Sequence, residues 1–190
     1  VSSVEYELDH YLTDPDWLYR TDRRGRFGTH GLGHITRVLV WSAVIAGRLG
    51  TPLRRPALLW AAALHDVRRR DDGIDPEHGE RAAAWVLDVF PTLRPDVAAA
   101  VDLPFVAALC RDHQRGDHLI ADWSDELRVL KDADGLDRVR IHDLDPARLR
   151  LQAISPALET QAWQLMRESV TRGNTADAVR ETALAMGLWR

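Results

Sequence analysis

Four histidines and two aspartates occupy positions from which they can meet. His34, His65, His78, His113 and Asp134 each continue an apolar stripe at helical spacings of three or four, and Asp66 adds a sixth group. His34 shares a face with Val38, Trp41, Ile45 and Leu49, while His65 follows Leu58, Ala61 and Ala62. His78 stands above Ala82, Trp85, Val86 and Val89; His113 continues Val106, Leu109 and Cys110, and Asp134 continues Leu127 and Leu130. Histidine is both the usual acid-base group near neutral pH and the commonest metal ligand. A single histidine on such a stripe is more often a hydrogen-bonded core residue. Six of these groups buried without another purpose would carry a heavy desolvation cost, and one or two divalent ions would neutralise them.

The elements that must position these residues are helices. Apolar spacings of three and four recur along the chain without sustained two-residue alternation, which predicts an all-α fold joined by short Gly, Pro and Asp turns. The spacing predicts a first helix from about His34 to Leu49, stopped by Gly50-Thr51-Pro52, and a second from Pro56 to about Val67. A third follows with Asp75 as cap and Pro76 at its first position, reaching Phe90. A fourth element spans Pro95 to His113, and Pro104 must kink or split it. Ser124 or Asp122 can cap a fifth helix ending near Arg138, and two more cover about Ala157 to Arg172 and Thr175 to Gly187. With no internal repeat and no linker, residues 1–190 read as one helical bundle with a metal centre in its core.

The totals are those of an ordinary globular domain: 190 residues, 45% apolar and 28% charged. A formal net charge of -4 supplies no overall basic field, which argues against a nucleic-acid partner. The single cysteine, Cys110, excludes an internal disulfide framework and suits a reducing compartment. No stretch has the roughly 18 apolar residues of a membrane span, and VSSVEYELDH lacks the pattern of a secretory signal, so a cytoplasmic location is expected. His10, His118 and the His142-Asp143 pair read as surface residues, and the tryptophans as core, with Trp163 and Trp189 as packing or homodimer contacts.

Taken as a set, HGLGHITRV (His30 to Val38), ALLWAAALHDV (Ala57 to Val67), HGERAA, the CRDH histidine and LKDADGLDRV (Leu130 to Val139) resemble the HD-domain superfamily of metal-dependent phosphohydrolases. The closer resemblance is to its small nucleotide-hydrolysing members, over roughly Thr29 to Ile141. Two positions depart from that pattern: Gly135 stands where many members have Arg, and Gly31 where Asp is usual. The extended motif of cyclic-dinucleotide phosphodiesterases is absent.

The resemblance implies His34, His65, Asp66 and Asp134 as metal ligands, with His78 and His113 completing a second site. Adjacent helical residues diverge by about 100°, so His65 would bind one ion while Asp66 bridges two, roughly 3.5 to 4 Å apart. Such ions act as Lewis acids and lower the pKa of bound water, which is what phosphoester cleavage needs. An imidazole and carboxylate set suits Mn, Fe, Co, Ni or Zn better than Ca. Arg37, one turn after His34, and Lys131, one turn before Asp134, are candidate substrate contacts, as is His30. Arg68 is a candidate phosphate clamp, and Asp137 a candidate to orient water, donate a proton or pair with an arginine. The expected substrate is a nucleotide or another small phosphorylated metabolite. Two alternatives stand beside hydrolysis: a mixed-valence di-iron oxygenase, which the same superfamily contains, and a non-catalytic nucleotide sensor that retains metal.

Overall fold

The structure is a computed structural model that describes residues 8–189. It is all-α: the described residues form ten α-helices and several short 3-10 turns, with no strand. After a short α1 (Arg23–Phe27), α2 (Leu32–Leu49) forms the central rod, every residue from Leu32 to Ser42 being buried. Gly50 ends it at φ 71°, the left-handed conformation glycine adopts without a Cβ penalty. In α3 (Arg55–Leu64), Pro56 takes a first-turn position and Ala57 to Leu64 are all buried. The alanines of that run let neighbouring helices approach closely.

The core helices pack pairwise: α2 against α3 and α8 (Asp125–Leu136), α3 against α7 (Leu103–Asp112), and α7 against α4 (His78–Asp88). Gly79 makes the last crossing, since a Cβ there would fall 2.8 Å from Cys110 O and 2.9 Å from Arg111 O. Between α4 and α7 run α5 (Phe90–Leu93) and α6 (Pro95–Ala100). Towards the end of the chain α9 (Glu159–Thr171) and α10 (Ala176–Ala185) pack on each other, and α10 also lies on α2. Trp41, Trp60, Trp85 and Trp189 all join one continuous apolar cluster. Among the described residues no helix is long and apolar enough to cross a membrane.

Several boundaries differ from the sequence expectation. The second helix stops at Leu64, so His65 and Asp66 lie in the turn that follows it. The fourth element is split at Val101-Asp102, where Asp102 accepts from Phe105 N and Pro104 sits harmlessly in the first turn of α7. Asp75 does not cap α4: it accepts from Arg70 N at 2.9 Å and pairs with Arg81, and the helix begins at His78. Ser124 is the cap of α8, accepting from Leu127 N, and the α-helix gives way at Leu136 to a 3-10 turn, Asp137–Ile141.

Candidate functional site

Each predicted ligand stands at or near a helix end. His65 and His113 both follow the last residue of their helices, α3 and α7, where the final carbonyls lack helical N–H partners. Their rings use those carbonyls: His65 Nδ1 lies 2.8 Å from Ala62 O, and His113 Nδ1 2.6 Å from Cys110 O. His78, the first residue of α4, places Nδ1 2.6 Å from Asp75 O. His34, in the first turn of α2, places Nδ1 2.7 Å from Asp137 Oδ2. A carbonyl or carboxylate only accepts, so each ring carries its proton on Nδ1 and turns the Nε2 lone pair inward.

Those four lone pairs converge on Asp66. His34 Nε2 is 3.5 Å and His65 Nε2 3.8 Å from Asp66 Oδ2, and the two nitrogens are 3.3 Å apart. On the other side, His78 Nε2 is 3.1 Å and His113 Nε2 3.8 Å from Asp66 Oδ1, again with their nitrogens 3.1 Å apart. The chain therefore has two groups that could hold a metal ion, His34-His65-Asp66 and Asp66-His78-His113, sharing one carboxylate. Asp134 lies outside these tight groups but places Oδ1 3.5 Å from His34 Nε2, on a side chain that opens onto solvent.

The electrostatics fit a cation. Asp66 Oδ1 is buried and accepts no hydrogen bond, and acceptors facing acceptors at these distances repel unless a positive charge stands between them. Burial pushes the His65 imidazole down to about 3, which keeps it in the neutral form a metal requires. Burial also opposes charge on His78, but the adjacent Asp66 outweighs it and raises that imidazole. Burial works against ionisation of Asp137 too, yet Arg37 and His34 hold its carboxyl far below the usual carboxylate range.

A cavity of about 780 Å³ opens directly on this cluster, with Asp66, His78, His113 and Asp134 at its inner end. His30 lines it, hydrogen-bonded to Asp72 at 3.2 Å, and burial lowers its imidazole to about 4.

Other expected contacts are placed elsewhere. Arg37 is buried and engaged by Asp137, Ser169 and Asn174, so it braces the centre from behind rather than facing substrate. Asp137, fully buried, faces His34 and Arg37 and cannot reach the cavity to donate a proton there. Lys131 borders the cavity, but its ammonium is spent on the carbonyls of His113 and Arg115 and on Asp117. Arg68 points away, to Trp17 O and the ring faces of Tyr19 and Trp85. Its neighbour Arg69 takes the place expected of it: Nη1 lies 3.8 Å from Asp66 Oδ1 and 3.2 Å from His78 Nδ1. Arg138, Arg140, Arg148 and Arg150 also line the cavity. The sequence carries a signal for them in the arginine-rich run LDRVRIHDLDPARLR, whose Asp143 lies on the same wall.

Set against known proteins, the chain gives no match to a protein-family model, to a curated protein or to a solved structure.

Proposed function

We propose that this chain is a metal-dependent phosphohydrolase of the HD type, cleaving a phosphoester or phosphoanhydride of a nucleotide or another small phosphorylated metabolite. The observation that carries the reading is the Asp66 carboxylate, buried without a hydrogen bond to Oδ1 and flanked on each oxygen by a pair of imidazole Nε2 atoms. His34, His65, Asp66 and Asp134 would hold one divalent ion, and Asp66, His78 and His113 a second, with Mn, Fe, Co, Ni or Zn suiting these donors. Such ions supply Lewis acidity and a nucleophile active at neutral pH.

The chain's own residues do the rest. Asp137 fixes the His34 tautomer and is itself fixed by Arg37. Arg69, anchored by the carbonyls of Asp71 and Gly73, presents a guanidinium beside the centre where a phosphoryl oxygen would sit. His30, neutral near pH 7, can donate or accept at the cavity wall. Buried Cys110, its thiol pushed up by burial, is inert and compatible with a cytoplasmic enzyme.

The test is elemental analysis of the purified protein together with a phosphoester and nucleotide panel assayed with several divalent ions. Bound transition metal and phosphate release, both lost in Asp66→Ala, are expected. A protein that takes up no metal, or an Asp66→Ala variant with undiminished turnover, would refute the proposal. Oxygen consumption by iron-loaded protein in place of phosphate release would replace hydrolysis with oxygenation.

A further inference from the structure

The cavity is chemically divided along its length. Arg69 stands at the inner end, 3.8 Å from Asp66, whereas Arg140 is spent on Thr29 O, Asp137 O and the Asp137 carboxylate. Towards the outside most cations pair with carboxylates of the same wall, while Arg115 is held by Glu80 and Asp112 behind it. Arg138 pairs with Asp143, Arg148 with Asp145 at 3.3 Å, and Arg150 with Asp117 at 2.9 Å. Lys131 adds a second cation to Asp117 at 3.3 Å, and Arg150 donates to both oxygens of that carboxylate, so Asp117 is held in place on the cavity wall. Among the described residues that line the space, apolar side chains come only from Leu144, Ala147 and Leu149, and none is Phe, Tyr or Trp.

These features discriminate between substrate classes. A nucleobase gains about 1–3 kcal/mol from stacking on an aromatic side chain; this wall offers no Phe, Tyr or Trp, and the His30 ring on it is tied to Asp72. The imidazoles of His78 and His113 turn their Nε2 edges to Asp66. A second or third phosphate at the outer end would meet Asp117, Asp143 and Asp145 and would have to take the cations from them. A hydroxyl group needs no such exchange, because it donates to a carboxylate while accepting from the adjoining guanidinium.

Resting on the phosphohydrolase reading, we infer that the preferred substrate is the monophosphate ester of a small polyol or sugar. The phosphate lies at the inner end beside Arg69, and the hydroxyls lie against the paired charges of the outer wall.

The experiment titrates manganese-loaded full-length protein calorimetrically with glycerol phosphate, a hexose phosphate, an inositol monophosphate, AMP and ATP, and measures phosphate release in parallel. At least one polyol phosphate should bind roughly tenfold or more tightly than AMP or ATP. Asp117→Asn should weaken that binding by about tenfold and leave the affinity for inorganic phosphate unchanged. AMP or ATP binding as tightly as every polyol phosphate overturns the inference, and so does failure of all the polyol phosphates to bind. Selective polyol-phosphate binding without phosphate release retains it and removes the hydrolase reading instead.

Discussion

His34 Nδ1 lies 2.7 Å from Asp137 Oδ2, and Arg37 Nε lies 2.5 Å from the other oxygen of the same carboxylate. Three fully buried residues thus form a chain that ends on an Nε2 aimed at Asp66. Asp137→Asn keeps the shape but removes the charge that specifies the His34 tautomer and neutralises Arg37. Metal affinity should fall about 10–100-fold. Leaving Arg37 buried and unpaired should also cost about 3–5 kcal/mol, seen as a lower denaturation midpoint of the metal-free protein. Unchanged metal binding in a folded variant would show that Asp137 serves stability alone.

How much of this was legible is well illustrated by KDADGLDR. Its three aspartates look alike in sequence, and periodicity places Asp134 on the inward stripe. Only the packing separates the others: Asp137 turns behind the site to His34, while Asp132 accepts from Arg150 N, Leu151 N and Ser155 Oγ and ties down the segment that walls the cavity. Long-range partners of that kind leave no local trace. The convergence of the four histidines could be read from their stripes because helical faces are a local property. Arg68 and Arg69 could not be told apart, because continuing the helix to Val67 gives both the wrong direction; α3 ends at Leu64 and the turn swings Arg69 to Asp66.

The geometry therefore predicts opposite outcomes for these neighbours. Arg69→Ala should raise KM for a phosphorylated substrate by about tenfold, the loss of one charge-assisted contact. Arg68→Ala, which removes packing on Tyr19 and Trp85 about a backbone carbonyl contact, should leave KM unchanged and slightly lower Tm. Steady-state kinetics of the two variants decide the matter, and the reverse pattern would place the phosphate elsewhere.

Gly79 couples packing to the site. Any Cβ at this position meets the backbone carbonyls of Cys110 and Arg111, which cannot swing aside as a side chain would. Gly79→Ala should therefore push α4 from α7 at a cost of about 1–3 kcal/mol and part His78 from His113. Metal titration should show loss of the Asp66-His78-His113 site with the His34-His65-Asp66 site retained. Equal loss at both sites would mean that the two groups are not separable.

Acid should destabilise the metal-free protein partly through His30. Burial lowers its imidazole from the ordinary 6.5 to about 4, against the pull of Asp66 and with further opposition from His34, Arg140 and Arg69; Asp72 hydrogen-bonds the ring. A histidine whose folded pKa lies below its unfolded value binds its proton in the unfolded chain first. Its stabilising effect is complete above pH 6.5 and is lost as pH falls from there towards 4, at up to about 1.4 kcal/mol per pH unit. His65, lowered to about 3, acts in the same direction, whereas raised His78 acts in the opposite one and is stabilising at low pH. The His30 contribution can be isolated by comparing urea midpoints of the metal-free wild type and His30→Asn between pH 7.5 and 5. The variant should decline less steeply over that range, and parallel curves would mean that His30 is protonated as readily in the folded protein as in the unfolded chain.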